Sequence, residues 1–494
     1  MRPAVTTAHA ADELLRFVWA QSYDKSFGDA VTHWATDPDR APGVDRSAPG
    51  VPLETGLHAA VDAVPYPVDW SRDRRTAATP TEIQALLYNT FGILRREPRN
   101  AYNDHRAFPS PRSLFPTHAY YRCQDDAGSR AFHYDAIGHV LQPVRGRGPL
   151  AGDGVIALAT HYTHIPDYYR SLRYTLGLLE AGHALYTLEL VAHALGIASR
   201  VRHAFDDAAW LAELRLRSED GWAVPVVVEL GPSGPSELTD ASVSSSDAAD
   251  PGSVDRSCWL PGSRERRSWT GIDPVSPPVF PPDQALTIPD TAPADARKST
   301  GQVLFDRNAG RGVAGVSAVQ RPISRAVVAT ALQEGFRRLE SDLTHRDRHV
   351  SNLRVLLVAE RVSDLDDGLY EVFPGTPWLA SIRRGRLLKD VEHAFPSALH
   401  LASYNLAWFF VVDYPRIVGE RGPRGFRVAN IELGWVGQAL GCALAAHGLF
   451  ARPCRSYHEP VLDSLFGLSP SEAVGYAIVC GVNRFQDIRL DLRC

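Results

Sequence analysis

Lysine is the residue this sequence comes closest to doing without. Lys25, Lys298 and Lys389 are the only lysines among 52 basic residues, the remainder being arginine, so chemistry that needs a titrating amine has few places to reside. Cysteine is sparse in pattern: Cys123, Cys258, Cys442, Cys454, Cys480 and Cys494 are scattered, with no CxxC pair and no dense framework. That argues against a zinc site or a disulfide scaffold and for reduced thiols. No basic leader with an apolar run opens the chain, and no uninterrupted apolar stretch is long enough to cross a bilayer, so a soluble cytoplasmic protein is expected. Excess charge is missing too. With 52 basic residues against 57 acidic ones the formal charge is −5, too weak a field to gather nucleic acid or anionic lipid. A small-molecule or peptide substrate is the better match.

What the chain does have is material for more than one core: 494 residues with 44% hydrophobic content favour at least two domains. Near Gly231 the composition changes abruptly, and 231-GPSGPSELTDASVSSSDAADPGSV and 273-DPVSPPVFPPDQ are rich in Pro, Gly, Ser and Asp without apolar periodicity. The expected division is an N-terminal unit 1–230, a partly disordered linker 231–300 and a C-terminal unit 301–494. Trp259 and Trp269 are large apolar residues that a wholly disordered linker would rarely keep.

The two flanks carry a repeat. Residues 180-EAGHALYTLELVAHALGIASR-200 lie over 432-ELGWVGQALGCALAAHGLFAR-452 without a gap, at an offset of 252 residues. Identities fall at Glu180/Glu432, Gly182/Gly434, Leu188/Leu440, Ala194/Ala446, Gly196/Gly448 and Arg200/Arg452, and the apolar positions keep three-to-four spacing. Each segment is expected to be a buried amphipathic helix stopped at Gly196 or Gly448. The contexts match as well. An Arg/aromatic run precedes each copy (170-RSLRY, 424-RGFR), and a polar turn leads to a short helix after it (203-HAFDDAAWLAEL, 455-RSYHEPVLDSLFGL). The stretches 119-AYYRC, 154-GVIALAT, 353-LRVLLVAERV, 407-LAWFFVVDY and 475-GYAIVCG read as strands. Strands and helices are mixed without βαβ regularity, which makes the fold class α+β.

This order of elements resembles the flavin nitroreductase superfamily over most of residues 80 to 485, and within it the peptide azoline dehydrogenases of ribosomal peptide pathways, in the tandem form of thiopeptide-like systems. The resemblance implies two nitroreductase-like units, each a mainly antiparallel sheet packed with helices, paired as an intrachain pseudo-dimer that could associate further. In that branch an R-x-S-x-R motif binds the flavin phosphate. Here 307-RNAGR-311 supplies Arg307 and Arg311, with Ala309 replacing the serine, and Pro322, Ile323, Ser324 and the helix 325-RAVVATALQEG follow as in the family. Two guanidiniums on one turn can grip a phosphate through paired charged hydrogen bonds. The complementary turn, P-S-x-x-x-L-x-P, is 109-PSPRSLFP-116 and brings Pro109, Ser110, Arg112 and Ser113. Each half keeps one side of a composite site, so one FMN per chain is expected in place of the two of a symmetric dimer. The resemblance further implies Arg455, Ser456 and Tyr457 near flavin N5 and Arg484 at the phosphate or ribityl chain. Residues 310-GRGVAG-315 spell GxGxxG, but no βαβ unit with a suitably placed acid surrounds them, so an anion-binding nest fits better than a dinucleotide site.

The implied reaction is FMN-dependent oxidation of thiazoline or oxazoline rings in a precursor peptide, beside a cyclodehydratase partner, with oxygen reoxidising the flavin. A base takes a proton while the flavin takes a hydride. Known azoline oxidases handle the proton with a Lys-Tyr pair before the Arg/aromatic run. This chain reads 166-PDYYR and 420-ER there, without lysine. Tyr168 and Tyr169 are the nearest catalytic substitutes, provided that cations such as Arg170 and Arg173 depress a phenol pKa near ~10. His183 and His164 are further candidate bases, and His161 with His164 lacks a third ligand for a metal. Two other functions compete: an NAD(P)H-dependent nitro or quinone reductase, and a degenerate flavoprotein fold serving as a peptide-binding scaffold.

Overall fold

A computed structural model describes residues 49–231 and 298–493, apart from 75–76, 101, 126–127, 147–149, 151–153, 170–171, 313–314, 317, 337–338, 340, 343–352, 375, 377, 397–398 and 486–487, and adds 44, 47 and the strand Leu286–Thr287. Trp259, Trp269 and Arg170 lie outside these residues, as does most of the 231–300 linker.

Each half folds β-branched and aromatic runs into an antiparallel sheet. In the first half, β1 (Val51–Pro52), β2 (Thr117–Asp125), β3 (Gly128–Asp135), β4 (Val140–Arg145), β5 (Gly154–His161), β6 (Ser199–Arg202) and β7 (Trp222–Leu230) stand in the order β1-β4-β3-β2-β5-β7-β6. The second half uses β8 (Leu286–Thr287), β9 (Ala318–Val319), β10 (Arg354–Ala359), β11 (Gly368–Val372), β12 (Trp378–Arg384), β13 (Leu406–Asp413), β14 (Leu449–Cys454) and β15 (Glu472–Asn483). Their order is β8-β12-β11-β10-β13-β15-β9, with β14 also on β15. The two orders are the same topology: a three-strand meander, a fourth strand, a long helix and a returning hairpin. The central strands are covered on both faces, and all nine residues of β7 are buried, which is why these stretches read as apolar runs without alternation.

The long helices are α2 (Leu172–Leu195) and α4 (Tyr414–Ala446), and two shorter ones, α1 (Pro80–Phe91) and α3 (Arg325–Gly335), pack on them. Sequence signals set the ends. Thr79 and Glu82 form a reciprocal capping box before α1, Ser324 caps α3, and Gly196 follows α2 at φ 73°. The expected amphipathic helix is corrected here: all but three of the 24 residues of α2 are buried. It lies between its own sheet and α4, so no face is left for water. Among the described residues no helix is long and apolar enough to cross a membrane.

The halves meet where the repeat is most alike. A Cβ on Gly182 would stand 2.0 Å from the Ile431 carbonyl oxygen and 2.9 Å from Gly434 Cα, and a Cβ on Gly434 would stand 2.0 Å from the Leu179 carbonyl oxygen. Equivalent glycines thus touch across a pseudo-two-fold axis, the intrachain counterpart of an isologous dimer contact. The contacts beside it are paired in the same sense: His183 with Gln438, and at the equivalent positions Trp435 with Tyr186. The C-terminal segment closes the arrangement, Leu490–Asp491 pairing with Arg95–Arg96 and Arg493 reaching Asp62.

Gly434→Ala is expected to lower the melting temperature, because an overpacked contact costs roughly 1–3 kcal/mol or more. Gly419→Ala, in an exposed part of α4 where a Cβ meets nothing within 4 Å, is expected to raise it, by up to about 1 kcal/mol of helix propensity. Equal effects in thermal unfolding would contradict the crossing.

Candidate functional site

A cavity of about 390 Å³ opens beside the helix crossing, lined by residues of both halves. The first half contributes the 108–113 turn, Tyr168, Tyr169 and the face of α2 carrying Leu176, Leu179, Glu180 and His183, while the second contributes 307–309, Arg311, 452–456 and Tyr476. Its volume suits a small organic ligand.

The charged wall comes from the second half. Arg307 ends the short helix Thr300–Asp306, which turns it inward, and its guanidinium is buried, with Nε donating to the Ala107 carbonyl at 2.8 Å and Nη2 to the Arg106 carbonyl at 3.3 Å. Burial, and then the neighbouring Arg95 charge, pull it down to about 9. Arg311 lies over the Tyr102 ring at 5.0 Å, and its buried Nε has no hydrogen-bond partner. Arg452 donates to the Ala309 carbonyl at 3.3 Å. Among the described residues none of these three has a carboxylate partner, and neither has Arg112. The nearby Glu97 is engaged by Arg95 at 3.0 Å and Asn100 at 2.9 Å. A buried cation without a carboxylate, as at Arg307, is costly, and an anion in the cavity removes that cost.

The opposite wall is the 109–116 turn. Arg112, Ser113 and Phe115 all have left-handed backbones, with φ of 54°, 54° and 51°, a conformation that non-glycine residues hold only under constraint. The constraint is visible. Ser110 Oγ accepts from the Phe115 amide at 2.8 Å and donates to Glu180 at 2.6 Å, while the Thr117 amide donates to the other Glu180 oxygen at 3.0 Å. Burial pushes the Glu180 carboxyl up to about 7 despite these hydrogen bonds.

Of the residues singled out from sequence, Pro109, Ser110, Arg112, Ser113, Tyr168, Tyr169, Arg307, Arg311, Arg455 and Ser456 all line this cavity. Tyr457 and Arg484 do not. Tyr457 turns into the second-half core and donates to the Val474 carbonyl at 2.7 Å, and Arg484 lies over Phe485. Arg455, in the loop before the helix Glu459–Phe466, is tied to Glu459 at the start of that helix at 2.7 Å. Tyr168 does not become acidic: burial and Tyr169 hold its phenol above the ordinary value, outweighing the Arg112 guanidinium 5.1 Å from its ring. Arg173, the other expected cation, is drawn to Asp167 at 2.7 Å. Tyr169 accepts from Arg112 Nε at 3.2 Å. His164 lies outside the cavity, whereas His183 lines it. Glu180, Arg452 and Tyr476 were not singled out as site residues, although Glu180 and Arg452 are repeat identities and so carried a signal.

No protein-family model matches the chain, and no curated protein does. Among solved structures, a protein of Anabaena variabilis assigned as a nitroreductase matches with a TM-score of 0.70 at 15% identity, over 96% of this chain and 99% of that one. A Ralstonia eutropha protein with the same assignment covers 44% of this chain and 100% of its own at 16% identity, with a TM-score of 0.32. The E. coli microcin synthetase McbBCD complex with truncated pro-MccB17 bound covers 34% of this chain and 67% of that chain at 15% identity, with a TM-score of 0.30. Only the first is close enough to define a fold. The chain has an α+β nitroreductase-like fold built from two tandem units.

The Glu180 carboxyl keeps its proton in the fold between its ordinary value of 4.5 and about 7, a range in which the unfolded chain has lost it. This group's contribution to stability therefore falls as pH rises through that window, by on the order of 3 kcal/mol. Glu180→Gln cannot ionise, so its melting temperature is expected to gain on the wild type between pH 5 and pH 8; a constant difference would refute the raised value.

Proposed function

We propose that the chain is an FMN-dependent dehydrogenase that oxidises thiazoline or oxazoline rings to thiazoles or oxazoles in a ribosomally made precursor peptide. The observation that carries this reading is that the 109–116 turn and the 307–311 motif, about 200 residues apart in sequence, line the same cavity. The residues suit the cofactor: buried, unpaired Arg307 and the orphaned Nε of Arg311 call for an anionic group. Arg307, Arg311 and Arg452 would hold the phosphate. The 109–113 turn, Arg455 and Ser456 would border the remainder of the flavin, which, when bound, supplies a hydride acceptor that dioxygen can reoxidise. Around it the chain's own groups exclude water and place Tyr168 and Tyr169, with Arg112 between the turn and their rings, as a wall for the peptide ring. A cyclodehydratase that makes the azoline is the expected partner.

A second reading, an NAD(P)H-dependent reductase of nitro compounds or quinones, is favoured by one observation. Among the described residues no lysine lines the cavity, since Lys298 is engaged with Asp306 and the Ala445 carbonyl and Lys389 lies on the helix Leu388–Glu392.

Purified protein incubated with FMN and an azoline-bearing peptide in air is expected to show bound-flavin absorbance and to remove two hydrogens per ring. Arg311→Ala loses a charged hydrogen bond of about 1.5–3 kcal/mol, so FMN affinity is expected to fall roughly tenfold to a hundredfold. A colourless protein that gains no flavin spectrum would overturn the proposal, and rapid bleaching by NAD(P)H with no change in peptide mass would select the second reading.

A further inference from the structure

Three side chains from different elements converge on one edge of the cavity. His183 comes from α2, Gln438 from α4 and Tyr476 from β15. His183 Nε2 is 2.7 Å from the Tyr476 hydroxyl, and its Nδ1 is 3.1 Å from Gln438 Oε1. The amide is oriented independently: Gln438 Nε2 donates to the Ala107 carbonyl at 2.8 Å and to Thr187 Oγ1 at 3.0 Å. Its oxygen therefore faces the imidazole and can only accept. That places the ring proton on Nδ1 and the lone pair on Nε2, so the Tyr476 hydroxyl donates to His183. Both His183 and Tyr476 line the cavity, although they are only 2% and 4% exposed.

We propose that Tyr476 and His183 form the proton-accepting pair of this site, filling the role for which its described lining has no lysine. The inference rests on the azoline reading above. The ring C–H proton passes to the Tyr476 oxygen as the phenol hydrogen moves to His183 Nε2. The electron pair left behind becomes the new ring double bond, and the second hydrogen leaves the adjacent carbon as hydride to the flavin. Gln438 is a positioning residue, holding the imidazole so that Nε2 faces the phenol.

The surroundings set when the pair can work. Burial pushes the His183 imidazole down to about 3, with Arg307 adding to the effect and Gln438 partly offsetting it. Burial pushes the Tyr476 phenol up, with Cys454, Tyr457 and Glu180 in the same sense and Arg307 opposed. Both groups are therefore neutral in the free protein. An anion held by Arg307 cancels the repulsion felt by a protonated His183, so a bound phosphate both anchors the cofactor and readies the base.

The repeat marks the pair as belonging to one site. At the positions equivalent to His183 and Gln438 the other side of the axis has Trp435 and Tyr186, whose rings meet edge to face at 5.1 Å. A purely structural bridge between the halves would need no such difference in chemistry.

The test uses full-length protein as wild type, Tyr476→Phe and His183→Asn, with an azoline-bearing peptide. Bound FMN, ring oxidation across pH, and uptake of solvent deuterium at the ring carbon by flavin-free protein are measured. Both variants are expected to retain FMN, to lose oxidation by about a hundredfold or more, and to lose the deuterium uptake that the wild type catalyses. Tyr476→Phe removes a single oxygen, which guards against an unfolded variant. Variants that oxidise the ring and exchange deuterium like the wild type would overturn the relay alone, leaving the azoline reading intact. A wild type that binds FMN but neither oxidises nor exchanges the peptide would overturn both.

Discussion

The contact between Gly182 and Gly434 is the constraint on which the rest depends. With a Cβ on either glycine only 2.0 Å from a backbone oxygen of the other helix, α2 and α4 can approach this closely only because neither residue has a side chain. That approach makes the two sheets one body, and it brings the N-terminal half of α2 against the elements that carry Arg307, Arg452 and Tyr476. A wider crossing would pull His183 away from both Gln438 and Tyr476. The site is therefore a property of the interface, and neither half contains it alone.

The same interface explains how a repeated sequence supports a single chemistry. Gly182 and Gly434 are alike because the crossing leaves no room for a side chain at either position. The residues next to the glycines and one turn on have diverged: His183 faces the Gln438 amide, while Trp435 faces Tyr186, which also lies 6.0 Å from Trp70. One side of the axis has polar groups directed at a cavity, and the other has packed rings. The motifs divide in the same way. The left-handed turn at Arg112, Ser113 and Phe115 belongs to the first half, and the cavity arginines Arg307, Arg311 and Arg452 belong to the second.

Much of this was legible in the sequence because it is written in local patterns. The strands around 119, 154, 353, 407 and 475, the helix at 325 and the repeat itself all depend on nearest neighbours or on spacing. Short β6 and β14 escaped notice because each follows a helix within a few residues and is defined by its partner strand, not by its own pattern. The turn and the two arginines were found as motifs, but their meeting is a fact of topology. That the side chains of Tyr457 and Arg484 lie off the cavity lining was not legible, because a motif places a segment and leaves its rotamers undetermined. The His183–Tyr476 hydrogen bond spans 293 residues, and only the folded chain shows it.

The central claim is that two tandem units make one composite cofactor site. Its most direct test is the flavin content of protein saturated with FMN and freed of excess, set against protein concentration by total amino-acid analysis. The account predicts one FMN per chain. Two per chain would mean that the Trp435 side also binds, and none would mean that the arginine-lined cavity serves another ligand.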